Sequence, residues 1–351
     1  MKIPFQNIVY YADSERRKTM LETGLLLVSL GIILLGAEIF TNGVEWLGRL
    51  LRLSEGAVGS VLAAVGTALP ETMIPVIAIL SGTEGGEEIG IGAILGAPFM
   101  LGTLALGITG VAVVLFRSRR QYYPRMKVDT VVIRRDLRFF LAVYSVAILA
   151  AFIPFKAGRL AVALFLVLAY IIYLYYTFKG KAMDSGPHQM KKLYLAGGNK
   201  PPRIRTVLLQ VGVALGIIVF GAHIFVDTIS ELAKLLAVPS FILALIIAPV
   251  ATELPEKFNS IIWVRNDKDT LALGNITGAM VFQSSLIPAL GIAMTGWALT
   301  PAALTSAVLV MMSAGVVYWQ MSRKNYLTPA MLLNGIVFYV IFVILVGQRI
   351  I

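Results

Sequence analysis

Ten stretches of this chain are each apolar for long enough to cross a lipid bilayer. They lie near residues 20–46, 56–81, 88–116, 138–154, 158–178, 204–231, 240–264, 270–296, 299–320 and 328–347. A spanning helix needs about 20 mainly apolar residues, so the pattern predicts an all-α integral membrane protein with about ten transmembrane helices. Composition agrees: 58% of the 351 residues are hydrophobic and only 14% are charged, against about 25% charged in a soluble domain. Little chain remains for an extramembrane domain. Zero cysteines exclude a disulfide framework, a thiolate metal site and a cysteine nucleophile, and two histidines argue against a His-rich zinc site. The polar first 19 residues lead into an apolar stretch with no small-residue cleavage pattern after it, so the N-terminus is expected to be retained.

The net charge of +11 takes its meaning from the loops that carry it. Ten spans place both termini on one side. That side carries Lys2, Arg16, Arg17, Lys18, Lys156, Arg159, Lys234 and Arg349, whereas the opposite loops carry 21 of the 30 Lys and Arg residues, concentrated between Arg117 and Arg138 and between Lys179 and Arg205. The positive-inside rule makes the second set cytoplasmic and puts both termini outside or in the periplasm, with the protein in the cell membrane. The basic loops read as topology signals lying against anionic lipid, not as a nucleic-acid surface. No protein partner is indicated. Trp46, Trp263, Trp297 and Trp319 fall near span ends, where interfacial anchors are expected.

The chain also repeats itself. Gly36-Ala37-Glu38-Ile39-Phe40 matches Gly221-Ala222-His223-Ile224-Phe225, and Thr67-Ala68-Leu69-Pro70-Glu71 matches Thr252-Glu253-Leu254-Pro255-Glu256, both at an offset of 185. Gly92 and Gly96 match Gly274 and Gly278 at an offset of 182. The expected organisation is an N-terminal segment (1–19), a five-helix repeat (20–178), a basic cytoplasmic linker (179–203) and a second five-helix repeat (204–351). Because five is odd, the second copy enters the membrane from the opposite side, giving inverted-topology repeats whose substrate site is expected at mid-depth between the copies.

Charge inside the bilayer marks the candidate chemistry. Glu71 lies about 22 Å from one end of its span and about 15 Å from the other at 1.5 Å per residue, and Glu256 holds the equivalent place in the second copy. A charged side chain at that depth costs at least about 2.5–3.5 kcal/mol. A bound cation is the natural compensation, since carboxylate and carbonyl oxygens suit hard ions such as Na⁺ and Ca²⁺. Pro70 and Pro255 have no N–H for the carbonyls of Gly66 and Ala251, so each helix is expected to kink or unwind beside its acid. Thr67 and Thr252 stand at i−4 from Glu71 and Glu256, and Glu253 at i−3 from Glu256, on the same helical sides. Three carboxylates, two threonines and the freed carbonyls approach the six to eight oxygens that Ca²⁺ takes.

These residues resemble the cation/calcium antiporters, which include the sodium/calcium exchangers. Their two α-repeats carry a Gly-Thr-Ser-x-Pro-Glu motif followed, on the next helix, by Gly-Asn-x-x-Gly-Ser-Asn or a similar motif. Gly66-Thr67-Ala68-Leu69-Pro70-Glu71 fits the first motif, and Ala251-Thr252-Glu253-Leu254-Pro255-Glu256 fits it with two changes. The resemblance covers nearly the whole chain. It implies that Glu71 and Glu256 are central ion ligands, with Thr67, Thr252 and the Gly66 and Ala251 carbonyls beside them, and that helices one and six slide to expose the site alternately. The second motif departs: Gly92 to Gly96 is followed by Ala97-Pro98, and Gly274-Asn275-Ile276-Thr277-Gly278 by Ala279-Met280, so positions that offer an amide or acid in the family are apolar or proline. Glu253, where the family has a small residue, would restore the lost acid.

The expected function is a secondary antiporter exporting a divalent cation, Ca²⁺ first, against Na⁺ or H⁺, with no cofactor and no enzymatic activity. Exchange of Mg²⁺, Mn²⁺ or monovalent ions on the same fold, a non-transporting ion-binding protein and a channel are the alternatives. Bland roles stand beside several residues: Glu256 could pair with Lys257, His223 could pack or face lipid instead of relaying protons, and Glu38 and Asp227 could be interfacial. Asn275, Thr277, Gln283, Ser284 and Ser285 on the eighth span are either further oxygen donors or interhelical hydrogen-bond formers. Paired Gly92/Gly96 and Gly274/Gly278 indicate close helix packing.

Overall fold

The computed structural model describes residues 5–51, 69–179, 192–196, 202–348 and 350. The described chain is helical almost throughout, with no β-strand in it: α1 (Phe5–Leu50), α2 (Leu69–Leu80), α3 (Gly86–Leu115), α4 (Thr130–Leu149), α5 (Lys156–Lys179), α6 (Ile204–Leu236), α7 (Ser240–Arg265), α8 (Asp269–Met294), α9 (Pro301–Lys324) and α10 (Pro329–Gly347). Each apolar stretch of the sequence has its helix, and seven of them are, by length and composition, able to cross a membrane. The protein is an all-α membrane protein built from two five-helix repeats, α1–α5 and α6–α10, the odd count inverting the second copy.

Corresponding helices share their degree of enclosure. In the most apolar 18 residues, 72% of α3 and 67% of α8 are buried, against 11% of α5 and 17% of α10. The third helix of each repeat is therefore interior. The fifth presents residues such as Leu164, Phe165, Leu168 and Ile172 outward, as a lipid-facing helix should.

Two boundaries differ from the hydropathy reading. Residues 5–19 are not a separate segment but the first turns of α1, because no glycine or proline interrupts the chain between Phe5 and Thr23. At 46 residues, α1 is about 69 Å long, more than twice the roughly 30 Å hydrocarbon core, so it is longer than a single crossing requires. Helix α4 begins at Thr130, eight residues before the apolar stretch, because the Asp129 carboxylate accepts from the backbone N–H groups of Val131 (2.9 Å) and Val132 (3.2 Å) and caps a polar first turn.

The chain forms two compact units, Met1–Ile89 with Phe178–Leu243 and Gly90–Thr177 with Ala244–Ile351. This division cuts across the repeats: α1, α2 and α6 belong to the first unit, and α4, α8, α9 and α10 to the second. In the first unit α1 lies along α6, and their contact is reciprocal. A Cβ added at Gly36 would come 2.8 Å from Ile218 Cγ1, and one added at Gly221 would come 2.9 Å from Ile33 Cγ1. Gly221 and Ile218 are the 185-residue counterparts of Gly36 and Ile33, so the two helices meet as copies related by a local two-fold axis. Gly221→Val is expected to lower the unfolding midpoint in detergent through overpacking of about 1–3 kcal/mol. Gly216→Val, on an exposed face of the same helix, should leave it unchanged; equal midpoints for both variants would show that the contact is loose.

In the second unit Phe99 on α3 packs against Phe342 (4.8 Å) and Tyr339 (5.5 Å) on α10. Trp297 corrects an expectation. It is fully buried, and its indole N–H donates to the Ala147 carbonyl at 2.9 Å, so it is a core residue and not an interfacial anchor. The backbone takes a left-handed φ of 48° at Trp297, just after α8, and the bare surface of Gly291 makes room for the ring.

Candidate functional site

In the first unit, α2 carries Glu71 on the face that also bears Ile74 and Ala78, spaced i, i+3 and i+7. All three are buried, Glu71 to 7% exposure. Glu71 stands nine residues before Leu80, or about 14 Å from that end of the helix. Met73 on the same helix packs against the α1–α6 cluster of Phe40, Val44 and Ile218. The burial of Glu71 thus follows from α2 seating an otherwise apolar face. Gly66 and Thr67 lie outside the described residues.

In the second unit, Glu253 lies 13 residues from Ser240 and 12 from Arg265, midway along α7. It is 3% exposed, as is Thr252. The Thr252 hydroxyl donates to the Ala248 carbonyl at 3.0 Å, which leaves its oxygen lone pairs available as acceptors. The Gln283 amide on α8 donates to Glu253 Oε1 at 3.3 Å. That orientation is chemically required, since a flipped amide would set oxygen against carboxylate oxygen. Gln283 is itself 2% exposed, and its Oε1 takes no hydrogen bond among the described residues. A buried amide oxygen beside a carboxylate is suited to a cation.

Helix α7 stays helical through Pro249 and Pro255, so of the expected kink or unwinding beside the second acid, the unwinding does not occur. The Ala251 carbonyl still lacks its usual donor because Pro255 has no N–H. The side chains of Ala251, Glu256 and Lys257 lie outside the described residues. Among the described residues no three Asp, Glu or His side chains come together.

The eighth span divides its polar residues. Ser284 and Ser285 donate to the Val281 carbonyl on their own helix, at 3.1 and 2.7 Å. Thr277 donates to Asp136 Oδ2 on α4 at 2.9 Å, and Asn275 is half-buried. Only Gln283 reaches Glu253 by a described hydrogen bond. At the 182-residue offset, the first-repeat counterpart of Gln283 is Leu101, the first residue of a π-helical turn, Leu101–Ala105, inside α3. That turn follows Pro98, and the carbonyl of Gly102 within it accepts from Ser313 on α9 at 2.6 Å. The first repeat thus offers no side-chain oxygen where the second offers Gln283.

Several candidates have peripheral places. His223 is exposed, its Nδ1 2.9 Å from the Val219 carbonyl, and Asp227 is exposed one turn on. Glu38 is exposed and accepts from the Tyr194 hydroxyl at 2.7 Å. Gly96 lies so close to the Leu245 carbonyl on α7 that a Cβ would not fit, as small-residue spacing predicts, whereas a Cβ at Gly274 or Gly278 would meet nothing within 4 Å among the described residues, so the second pair does not mark a close helix contact. Asp136 and Tyr173 were missed by the sequence reading. The signal for Asp136 was available in the Asp129 cap, which extends α4 far enough to place Asp136 on its buried stripe.

The description sodium/calcium exchanger protein matches this sequence twice, over residues 21–179 and 206–350, one match to each repeat. The chain belongs to the sodium/calcium exchanger family. Inner membrane protein YrbG of Escherichia coli (strain K12) is 24% identical over 324 residues, covering 90% of this chain and 94% of that protein. The crystal structure of the H⁺/Ca²⁺ exchanger CAX superposes with a TM-score of 0.69 at 15% identity, over 95% of this chain and 88% of that one. The sodium-calcium exchanger NCX_Mj superposes with a TM-score of 0.55 at 18% identity, over 93% and 98%. At these identities the structural likeness establishes the fold. Membership makes the protein a secondary cation transporter of the cation/calcium exchange class, not an enzyme.

Proposed function

We propose that this exchanger exports a divalent cation, Ca²⁺ by its ligand chemistry, in return for inward Na⁺ or H⁺. The observation that carries the reading is Glu253, 3% exposed at the middle of a membrane helix and touched by a buried glutamine whose own oxygen is unused among the described residues. A carboxylate oxygen and an amide oxygen brought together in a buried place are ligands of the kind a hard cation takes. Glu71, buried on α2, is proposed as a further ligand because it is the repeat counterpart of Glu256. Glu256, Thr67, Thr252 and the Gly66 and Ala251 carbonyls complete the proposed set.

Exchange follows from competition. Ca²⁺ and the driving ion neutralise the same carboxylates, so occupancy by one discourages the other, while helices one and six move to open the site to each side in turn. The proposed orientation places the termini outside and the basic loops in the cytoplasm, in accord with the charge distribution. The test is purified protein in liposomes, with Ca²⁺ flux followed under imposed Na⁺ and H⁺ gradients in turn. One gradient should drive Ca²⁺ movement against its own gradient. Absence of divalent flux under both overturns the proposal.

A further inference from the structure

Helix α4 buries a stripe of Ile133, Leu137, Phe140 and Tyr144, all fully enclosed, and Asp136 interrupts it at 2% exposure. A carboxylate in such a stripe must be fully hydrogen-bonded to persist. Its oxygens are divided between helices. Oδ1 accepts from the Tyr173 hydroxyl on α5 at 2.8 Å and from Arg135 Nε and Nη2 at 3.1 and 3.0 Å. Oδ2 accepts from the Thr277 hydroxyl on α8 at 2.9 Å. The Arg135 guanidinium also lies over the Tyr173 ring, 5.1 Å from its centre. One side chain therefore pins α4, α5 and α8 together.

The contact on α8 is the informative one. Gln283, which donates to Glu253, lies six residues after Thr277, about 9 Å further along the same helix. The helix is unbroken from Asp269 to Met294, so fixing its rotation at Thr277 fixes the direction of Gln283. We propose that Asp136 is a positioning residue: through Thr277 it sets the rotation and register of α8 and so aims the Gln283 amide at Glu253. Its effect falls on affinity for the transported cation without contact between Asp136 and the ion. This inference rests on Glu253 and Gln283 belonging to the transport site.

The experiment compares the parent with Thr277→Val, Thr277→Ser, Tyr173→Phe, Gln283→Ala and the Thr277→Val/Gln283→Ala double variant, each reconstituted in liposomes, by initial Ca²⁺ flux against Ca²⁺ concentration. Valine keeps the shape of threonine and removes only the donor. Thr277→Val should raise KM about twofold to thirtyfold, the range for coupling through packed elements, with the maximal rate nearly unchanged. Serine should restore the parental KM, and Tyr173→Phe should shift KM in the same direction as valine. In the Gln283→Ala background Thr277→Val should add nothing further. An unchanged KM in both Thr277→Val and Tyr173→Phe, or penalties that multiply in the double variant, overturns the positioning role. If Gln283→Ala itself leaves KM unchanged, the reading of the site fails and takes this inference with it, an outcome distinct from a Gln283 effect without a Thr277 effect.

Discussion

Glu71→Gln is expected to reduce divalent transport by about a hundredfold or more. Glutamine has nearly the shape of glutamate and retains an oxygen acceptor, so α2 should seat as before against α1 and α6. What it removes is the negative charge that the proposed site sets toward the ion. Taking one partner from a buried charge pair costs about 3–5 kcal/mol, which is more than two orders of magnitude in affinity or rate. The check is initial Ca²⁺ flux in liposomes beside the melting curve of the same preparation. Parental flux from a preparation with the parental melting curve would remove Glu71 from the ion path.

Glu253→Ser should weaken divalent affinity by about tenfold to a hundredfold. Serine is the kind of small residue found there in the motif that this sequence resembles. Here it would delete a carboxylate and also leave the buried Gln283 amide without its acceptor; losing a hydrogen bond to a charged group costs about 1.5–3 kcal/mol. Glu253→Gln keeps an acceptor for Gln283 but not the charge, so it separates the two contributions. The readout is the Ca²⁺ concentration giving half-maximal flux. An unchanged value in both variants would mean that Glu253 only braces α7 against α8.

The same residues show what a hydropathy reading captures and where it stops. Ten apolar stretches became ten helices because a span is dictated by length and polarity, both local properties. The reciprocal fit of Gly36 on Ile218 and Gly221 on Ile33 was foreshadowed by the 185-residue repeat, since copied sequences packed about a two-fold axis make copied contacts. The start of α4 was lost because Arg134, Arg135, Asp136 and Arg138 lower the average hydropathy of turns that tertiary partners nonetheless bury. Trp297 was misplaced for a related reason: its position at a span end is local, whereas its burial depends on Gly291 and Ala147. The division into compact units did not follow the repeats, because helix packing joins α1 to α6 across the linker.

Within the proposed site, the sequence marks the acids as charges midway along apolar stretches and Glu253 as an exception to the motif. Sequence left Thr277, Gln283, Ser284 and Ser285 equivalent, four polar residues on one span. Their separation needed three dimensions: one hydroxyl is held by Asp136, two turn back on their own helix, and the glutamine alone reaches the buried acid.

The most direct test is Ca²⁺ binding to the purified protein measured by titration calorimetry, with Glu71→Gln and Glu253→Gln as companions. The account predicts saturable binding by the parent, displaced by Na⁺ or by lowered pH, and its loss or severe weakening in both variants. Binding of parental strength in either variant would contradict it.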